Sequence, residues 1–247
     1  MIDLKPLIEH RDESRCVLGF DIWGTLLDLD EVLKSIAKSI ARKIGVSEHV
    51  SEQMIYEVHR AARNIRRRNP DIKPSELLQV SQKLASEKFG VSTETLLGTI
   101  AEVFENPAPS VLFKDTLPAL EALHEKGVAM GLIGNVLFWP SSLTRKLLES
   151  YNLVKYMKIL VFSDEIEVSK PDRKIFLFFA EKMGTSPENV IYVGDNIIED
   201  VGGALASGFI GILIDRKSDR KLYVSELRAG VIRSLEDLPS VYEEICG

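Results

Sequence analysis

Five stretches of this chain are apolar runs, nearly continuous, rather than alternating patterns: Cys16–Ile22, Val128–Ile133, Ile159–Phe162, Val190–Val193 and Phe209–Ile214. A strand with one wet face alternates apolar and polar residues. A strand covered on both faces does not, so runs of this kind predict a parallel sheet buried between two layers. Val231–Ser234 reads as a short sixth strand. Helical patterns separate the runs, at Leu117–Glu125, Ser141–Tyr151, Arg173–Met183, Glu199–Ala206 and Leu238–Ile245. Strand alternating with helix predicts an α/β fold, a doubly wound (Rossmann-like) parallel sheet.

One interval breaks the alternation. Between Leu29 and Ser110 nothing reads as a strand, and four helical patterns take its place: Glu31–Ile44, Ser51–Arg68, Ser75–Phe89 and Thr93–Phe104. Gly45, the segment "NPDIKP" and Gly90 separate them. The sequence is therefore read as a core of residues 1–28 plus 111–247, with 29–110 inserted as an all-helical unit.

Composition narrows the function classes. A net charge of −6 on 247 residues argues against a general affinity for nucleic acid. No apolar run has the length of a membrane span. The first residues, "MIDLKPLIEHRDESR", are too polar for a secretory signal. Cys16 and Cys246 stand at opposite ends and are expected to form neither a disulfide framework nor a metal site, Cys16 serving as a small buried hydrophobe. These features predict a soluble cytoplasmic protein. Gln occurs only at positions 53, 79 and 82 amid many charges, a thermophile-like bias.

In an open α/β sheet the ligand sits beyond the carboxyl ends of the strands, so polar residues there carry the functional reading. The first run ends at Asp21 within "FDIWGTLLD", and the second ends in "GLIGN" with Asn135. The third runs into "FSDEIEVSKPD" with Lys170, and the fourth into "YVGDNIIED" with Asp195 and Asp200. These four segments, in this order, resemble the haloacid dehalogenase superfamily, most of whose members are phosphatases. The resemblance covers Cys16 to Ile214, and the helical insertion falls where many members carry a cap domain.

The resemblance implies a Mg²⁺-dependent phosphomonoester hydrolase acting on a small phosphorylated substrate. Asp21 would attack phosphorus and form an aspartyl-phosphate, splitting one hard step into two. Asp21, Asp195, the backbone carbonyl of Trp23 and Asp200 would hold the ion or its water shell. Lys170 would neutralise the phosphoryl oxygens and Asp21, and Asn135 would donate to the transferring group. Trp23, Gly134 and Thr25 would shape the substrate pocket. Oligomeric state is not legible.

Two residues depart from the family's pattern. Trp23 stands where its phosphatases have an aspartate for proton transfer, a contribution of typically ~10²–10⁴-fold. Gly134 stands where they have Ser or Thr, a lost hydroxyl donor of roughly 1.5–3 kcal/mol. His49 and His59 are candidate replacements for the missing acid. Arg63, Arg66, Arg67 and Arg68 read as a solvated face near a helix C-terminus, with anion binding the lesser reading. Phe138 and Trp139 suit either the pocket entrance or the core.

Two alternatives stand beside the phosphatase. The metal-free 2-haloacid dehalogenases also have an aromatic residue two positions after the nucleophile. They usually lose the acid at the Asp195 position and use a cap arginine. Here Glu52 stands near that position, flanked by Arg42 and Arg60. A relative that binds phosphate without turnover is the other alternative. Phosphonate hydrolysis would need a cap lysine, and nothing singles out Lys34, Lys38 or Lys43.

Overall fold

The computed structural model of the protein describes residues 16–247, so the N-terminal segment read above for a signal sequence lies outside the described residues. Among the described residues seven strands form one sheet: β1 (Val17–Phe20), β2 (Met130–Gly134), β3 (Met157–Phe162), β4 (Val190–Gly194), β5 (Ile210–Ile214), β6 (Leu222–Val224) and β7 (Ala229–Ile232). Their spatial order is β3-β2-β1-β4-β5-β7-β6. All neighbours are parallel except β6 and β7. The chain winds outward from β1 through β2 to β3, then returns to the other side of β1 at β4. The crevice at that reversal, beyond the carboxyl ends of β1 and β4, is where such sheets hold ligands.

The helices are α1 (Leu29–Ile44), α2 (Glu48–Arg68), α3 (Pro74–Phe89), α4 (Thr93–Glu105), α5 (Thr116–Glu125), α6 (Ser141–Ser150), α7 (Ser163–Ile166), α8 (Arg173–Met183), α9 (Gly203–Ala206) and α10 (Leu238–Cys246). Both faces of the sheet are covered, which accounts for the apolar runs. On one face Val17, Val190 and Tyr192 pack with Phe176, Phe179 and Phe209. On the other, Leu18, Phe20, Ile191 and Val193 join Leu120, Leu123, Leu147 and Val241. Successive strand residues thus point to opposite layers, and both layers are apolar.

Helices α1–α4 occupy the interval between β1 and β2. Asp28 opens them by accepting from the backbone N–H groups of Asp30 and Glu31 at the N-terminus of α1. Gly45 and Gly90, at φ +73° and +65°, end α1 and α3 in the left-handed conformation that suits glycine. Their buried face is continuous with the second sheet layer, where Leu33, Ile36, Ile55 and Phe104 share a cluster with Phe20, Phe138 and Leu147.

Local differences from the sequence reading have simple causes. The three-residue β6 is an antiparallel edge strand, half-buried to exposed, and too short to give a pattern. The segment expected as one helix over Glu199–Ala206 is a π-helical turn at Ile197–Gly202 followed by α9. Such turns recur at functional sites.

The cysteine expectation needs correction. Cys16 and Cys246 form a disulfide across 230 residues, with Cα atoms 6.0 Å apart. Distance in sequence hid their proximity: α10 folds back to the start of β1, where the Tyr242 hydroxyl donates to the Cys16 carbonyl at 3.0 Å. Among the described residues no helix is long and apolar enough to cross a membrane.

Candidate active site

Asp21 follows β1 directly, and its backbone N–H donates to Val193 of β4 at 2.9 Å, fixing it at the reversal point. The chain then turns tightly, with the N–H groups of Leu26 and Leu27 both donating to the Ile22 carbonyl. Gly24 makes that turn at φ +85°. A Cβ there would also run into the Asp195 carboxylate, so this position requires glycine twice over.

Lys170 is the centre of the charge network. It is 3% exposed, and its Nζ donates to Asp21 Oδ1 at 2.6 Å, Asp200 Oδ1 at 2.7 Å and the Tyr192 hydroxyl at 2.9 Å. The second Asp200 oxygen accepts from the Asn196 N–H at 3.0 Å. Asn135 grips the Lys170 backbone from both sides, donating to its carbonyl at 3.0 Å and accepting from its N–H at 2.8 Å. The Asn135 amide thereby places Lys170. Asp21, Asp195 and Asp200 each present an oxygen such that the three lie within 4.8 Å of one another.

These neighbours shift the ionisations. Burial pushes Asp21 up to about 8, with Asp200 and Asp195 adding repulsion and Lys170 opposing. Burial and then Asp200 push Asp195 up to about 6, against Lys170 and Arg63. Burial alone would lower Lys170, but Asp200 and Asp21 outweigh it and hold the ammonium above its ordinary value.

A cavity of about 130 Å³ opens over this cluster. Its floor includes Asp21, Asn135, Lys170, Asp195 and Asp200, and its walls include Trp23, Trp139, His59, Arg63, Arg66 and Glu199. Trp23 meets Trp139 edge to face, with ring centroids 5.6 Å apart, and Trp139 meets Phe104 in the same way. The aromatic pair left open by the sequence divides: Trp139 lines the cavity, whereas Phe138 is wholly buried in the core.

Two expected pocket residues, Thr25 and Gly134, are not among those lining the cavity. Thr25 is fully buried, its hydroxyl directed at Asp21 Oδ2 from 3.4 Å. Gly134 is also buried, and a Cβ there would sit 2.7 Å from Ile22 Cδ1 and 2.9 Å from the Phe162 ring. The place of the absent hydroxyl is therefore filled by apolar neighbours rather than left as a gap.

The arginine run also divides. Arg67 and Arg68 are exposed, as a solvated face requires, but Arg63 and Arg66 line the cavity with His59. The three stand at i, i+4 and i+7, one face of α2, and that spacing was the available signal. Burial, then Arg63 and Arg66, lower His59 to about 4, so it is neutral at pH 7. His49 is exposed and bonds to Gln53. Arg42 and Arg60 are exposed and are not among the residues lining this cavity. Lys34, Lys38 and Lys43 pair at the surface with Glu31, Glu48 and Glu102. Glu199 and Tyr192 were not anticipated, because tertiary contacts alone bring them to Arg66 and Lys170.

Comparison with known proteins identifies the family. Phosphoglycolate phosphatase from Salmonella typhimurium is 30% identical over 138 residues, which is 56% of this chain and 48% of that protein, so the match spans about half of the relative's length. A HAD phosphatase from Thermococcus onnurineus superposes with a TM-score of 0.63 at 24% identity, covering 94% of this chain and all of that one. L-2-haloacid dehalogenase from Xanthobacter autotrophicus gives a TM-score of 0.70 at 17% identity over 93% of this chain and 98% of its own. At those identities the solved structures speak to the fold alone. The family model of haloacid dehalogenase-like hydrolases matches residues 17–208, and the chain belongs to that family.

Proposed function

We propose that the protein is a Mg²⁺-dependent phosphomonoester hydrolase with Asp21 as nucleophile. The observation that carries this reading is the meeting of Asp21, Asp195 and Asp200 around the buried Lys170 ammonium. Three clustered carboxylates repel one another, and the values of Asp21 and Asp195 are raised first by burial and then by that repulsion, both of which a nearby cation would offset. Hard oxygen donors of this kind fit Mg²⁺. Asp21, Asp195 and the Trp23 carbonyl would hold it, with Asp200 supporting from beneath through Lys170 and the Asn196 N–H. When bound, the ion supplies charge neutralisation for the phosphoryl group.

The remaining work falls to the chain. Asp21 forms a bond to phosphorus as the bond to the leaving oxygen breaks, and water then cleaves the aspartyl-phosphate. Lys170 keeps Asp21 oriented and offsets charge, and Asn135 holds Lys170 in place. Trp23 cannot transfer a proton, and His59 carries none to give at neutral pH. Leaving groups that are stable as anions, such as aryl and acyl phosphates, are therefore preferred over alkyl phosphates.

A small phosphorylated substrate suits the cavity volume, and the relatives named as phosphoglycolate phosphatases support that class. In this reading residues 29–110 are a cap domain over a core of 1–28 and 111–247, because His59, Arg63 and Arg66 bring the insertion to the cavity. A cytoplasmic location belongs to the same reading. The disulfide then fits the intracellular proteins of hyperthermophiles, in which such bonds are frequent.

Trp23 in the cavity wall favours one competing reading, a metal-free dehalogenase. A single panel separates the readings: aryl, alkyl and acyl phosphates plus 2-chloropropionate, with Mg²⁺ or chelator, on wild type and Asp21→Asn. Aryl and acyl turnover abolished by chelator and by Asp21→Asn is the expected result. Halide release that survives chelator would overturn the proposal. Phosphate binding without turnover of any ester would point to a non-catalytic relative.

A further inference from the structure

A second, larger hollow adjoins the catalytic cavity. It measures about 880 Å³, against about 130 Å³ for the inner cavity, and runs between the α2–α3 connection and the loop before α8. Ile72, Lys73, Lys174 and the exposed Ile198 line it. Arg66, Glu199 and Lys170 line both spaces. Between them stands an ion pair, Arg66 Nη2 to Glu199 Oε2 at 2.5 Å, with side chains only 11% and 15% exposed. Arg66 comes from α2 and Glu199 from the π-helical turn, so the pair bridges the helical insertion and the turn after β4. Glu199 is further held by the Asn135 amide at 3.4 Å.

We propose that the Arg66–Glu199 ion pair is the size-determining partition of the active site, confining hydrolysis to small phosphomonoesters by shutting the outer groove, which is of mixed charge and partly apolar, off from Asp21. This rests on the phosphatase reading above. The inner cavity is well below the roughly 300–1,000 Å³ of sites that enclose drug-sized ligands, whereas the outer groove lies within that range. The pair lines both spaces, so a bulky leaving group that extends from Asp21 into the groove meets it. A low-exposure charge pair resists separation far more than a solvated one, because each partner left alone is poorly hydrated. Glu199 is also an anion beside the path of an anionic substrate, so pairing it with Arg66 keeps that charge from repelling the substrate.

The test compares acetyl phosphate, which is small, with 4-methylumbelliferyl phosphate, which is bulky, in wild type, Arg66→Met/Glu199→Gln, the charge-swapped Arg66→Glu/Glu199→Arg, and Arg68→Ala as an exposed control that lines neither space. The reading is the ratio of kcat/KM for bulky over small ester, with folding checked by circular dichroism and Tm. The ratio is expected to rise about tenfold or more in the Met/Gln variant, to return towards wild type in the charge swap, and to stay unchanged in Arg68→Ala. An unchanged ratio in a folded Met/Gln variant, or equal losses on both esters, would overturn the partition. If wild type turns over neither ester, the phosphatase reading fails by itself, and the partition is read from fluorescence binding of 4-methylumbelliferyl phosphate. Binding gained only in the Met/Gln variant supports it, and no gain refutes it.

Discussion

Gly134→Ser restores, on paper, the hydroxyl that the family's phosphatases carry, and an improved catalyst would be the simple expectation. The structure argues otherwise. Gly134 ends β2, and a Cβ there would stand 2.7 Å from Ile22 Cδ1 and 2.9 Å from two carbons of the Phe162 ring. Ile22 is 0% exposed and Phe162 1%, so neither has free space to retreat into. Overpacking of this sort costs typically ~1–3 kcal/mol. A charge-assisted hydrogen bond returns a comparable roughly 1.5–3 kcal/mol, but only to the state with phosphate bound. Gly134→Ser is therefore expected to lower the stability of the free protein by about 1–3 kcal/mol. Ile22→Val removes the very Cδ1 atom that blocks the position and by itself costs about 0.5–1.5 kcal/mol. In the double variant the two losses should fall short of additivity by about 0.5 kcal/mol or more, since the substitutions share one contact. Urea unfolding of the four proteins in a double-mutant cycle measures this. A stabilising Gly134→Ser, or strict additivity with Ile22→Val, would refute the packing argument.

Other expectations are as concrete. Gly24→Ala places a Cβ at φ +85° against the Asp195 carboxylate, so it should cost more than about 1 kcal/mol and weaken Mg²⁺ binding, both measurable by calorimetry. Lys170→Met strips two buried carboxylates of their shared ammonium and should destabilise by about 3–5 kcal/mol in denaturant melts at pH 7; a loss under about 1 kcal/mol would contradict the network. Asp115 is lowered despite burial by Arg216, the Leu235 N–H and the Ser234 hydroxyl, so its contribution is present above its ordinary value of 3.8 and fades as pH falls through the lower folded value. Arg216→Met should accordingly cost about 1.5–3 kcal/mol at pH 7 and distinctly less near pH 2. His59 is lowered to about 4 from 6.5, so the folded protein binds fewer protons than the unfolded chain between those values and stability rises with pH across them. His59→Gln should flatten that rise in pH-dependent melts and add or remove no limb of the pH–rate profile between pH 6 and 8.

The departures from the sequence reading share one origin. Local pattern reports what a residue's own element does, and several features here depend on elements meeting. The exposed Arg67 and the cavity-lining Arg63 belong to one basic run, and only the packing of α2 over the sheet separates their fates. Glu199 gave no local signal because its meaning comes from Arg66, 133 residues away. The cysteines were misread for the same reason, since α10 brings residue 246 to residue 16. The edge strand β6 escaped notice because three residues with one exposed flank carry no periodicity.

The sequence by itself determined the layered α/β architecture, the helical interval between β1 and β2, and which polar residues stand at the strand ends. Those follow from short-range rules: a strand buried on both faces must be apolar throughout, and the first polar residue after it must lie at the sheet's rim. Tertiary structure decided how the rim residues divide their work. It made Asn135 the clamp on Lys170, set Lys170 between Asp21 and Asp200, filled the place of the missing hydroxyl with Ile22 and Phe162, and paired Arg66 with Glu199 in the cavity lining. Charge pairing and close packing act over a few ångströms in space, and separation along the chain carries no record of that distance.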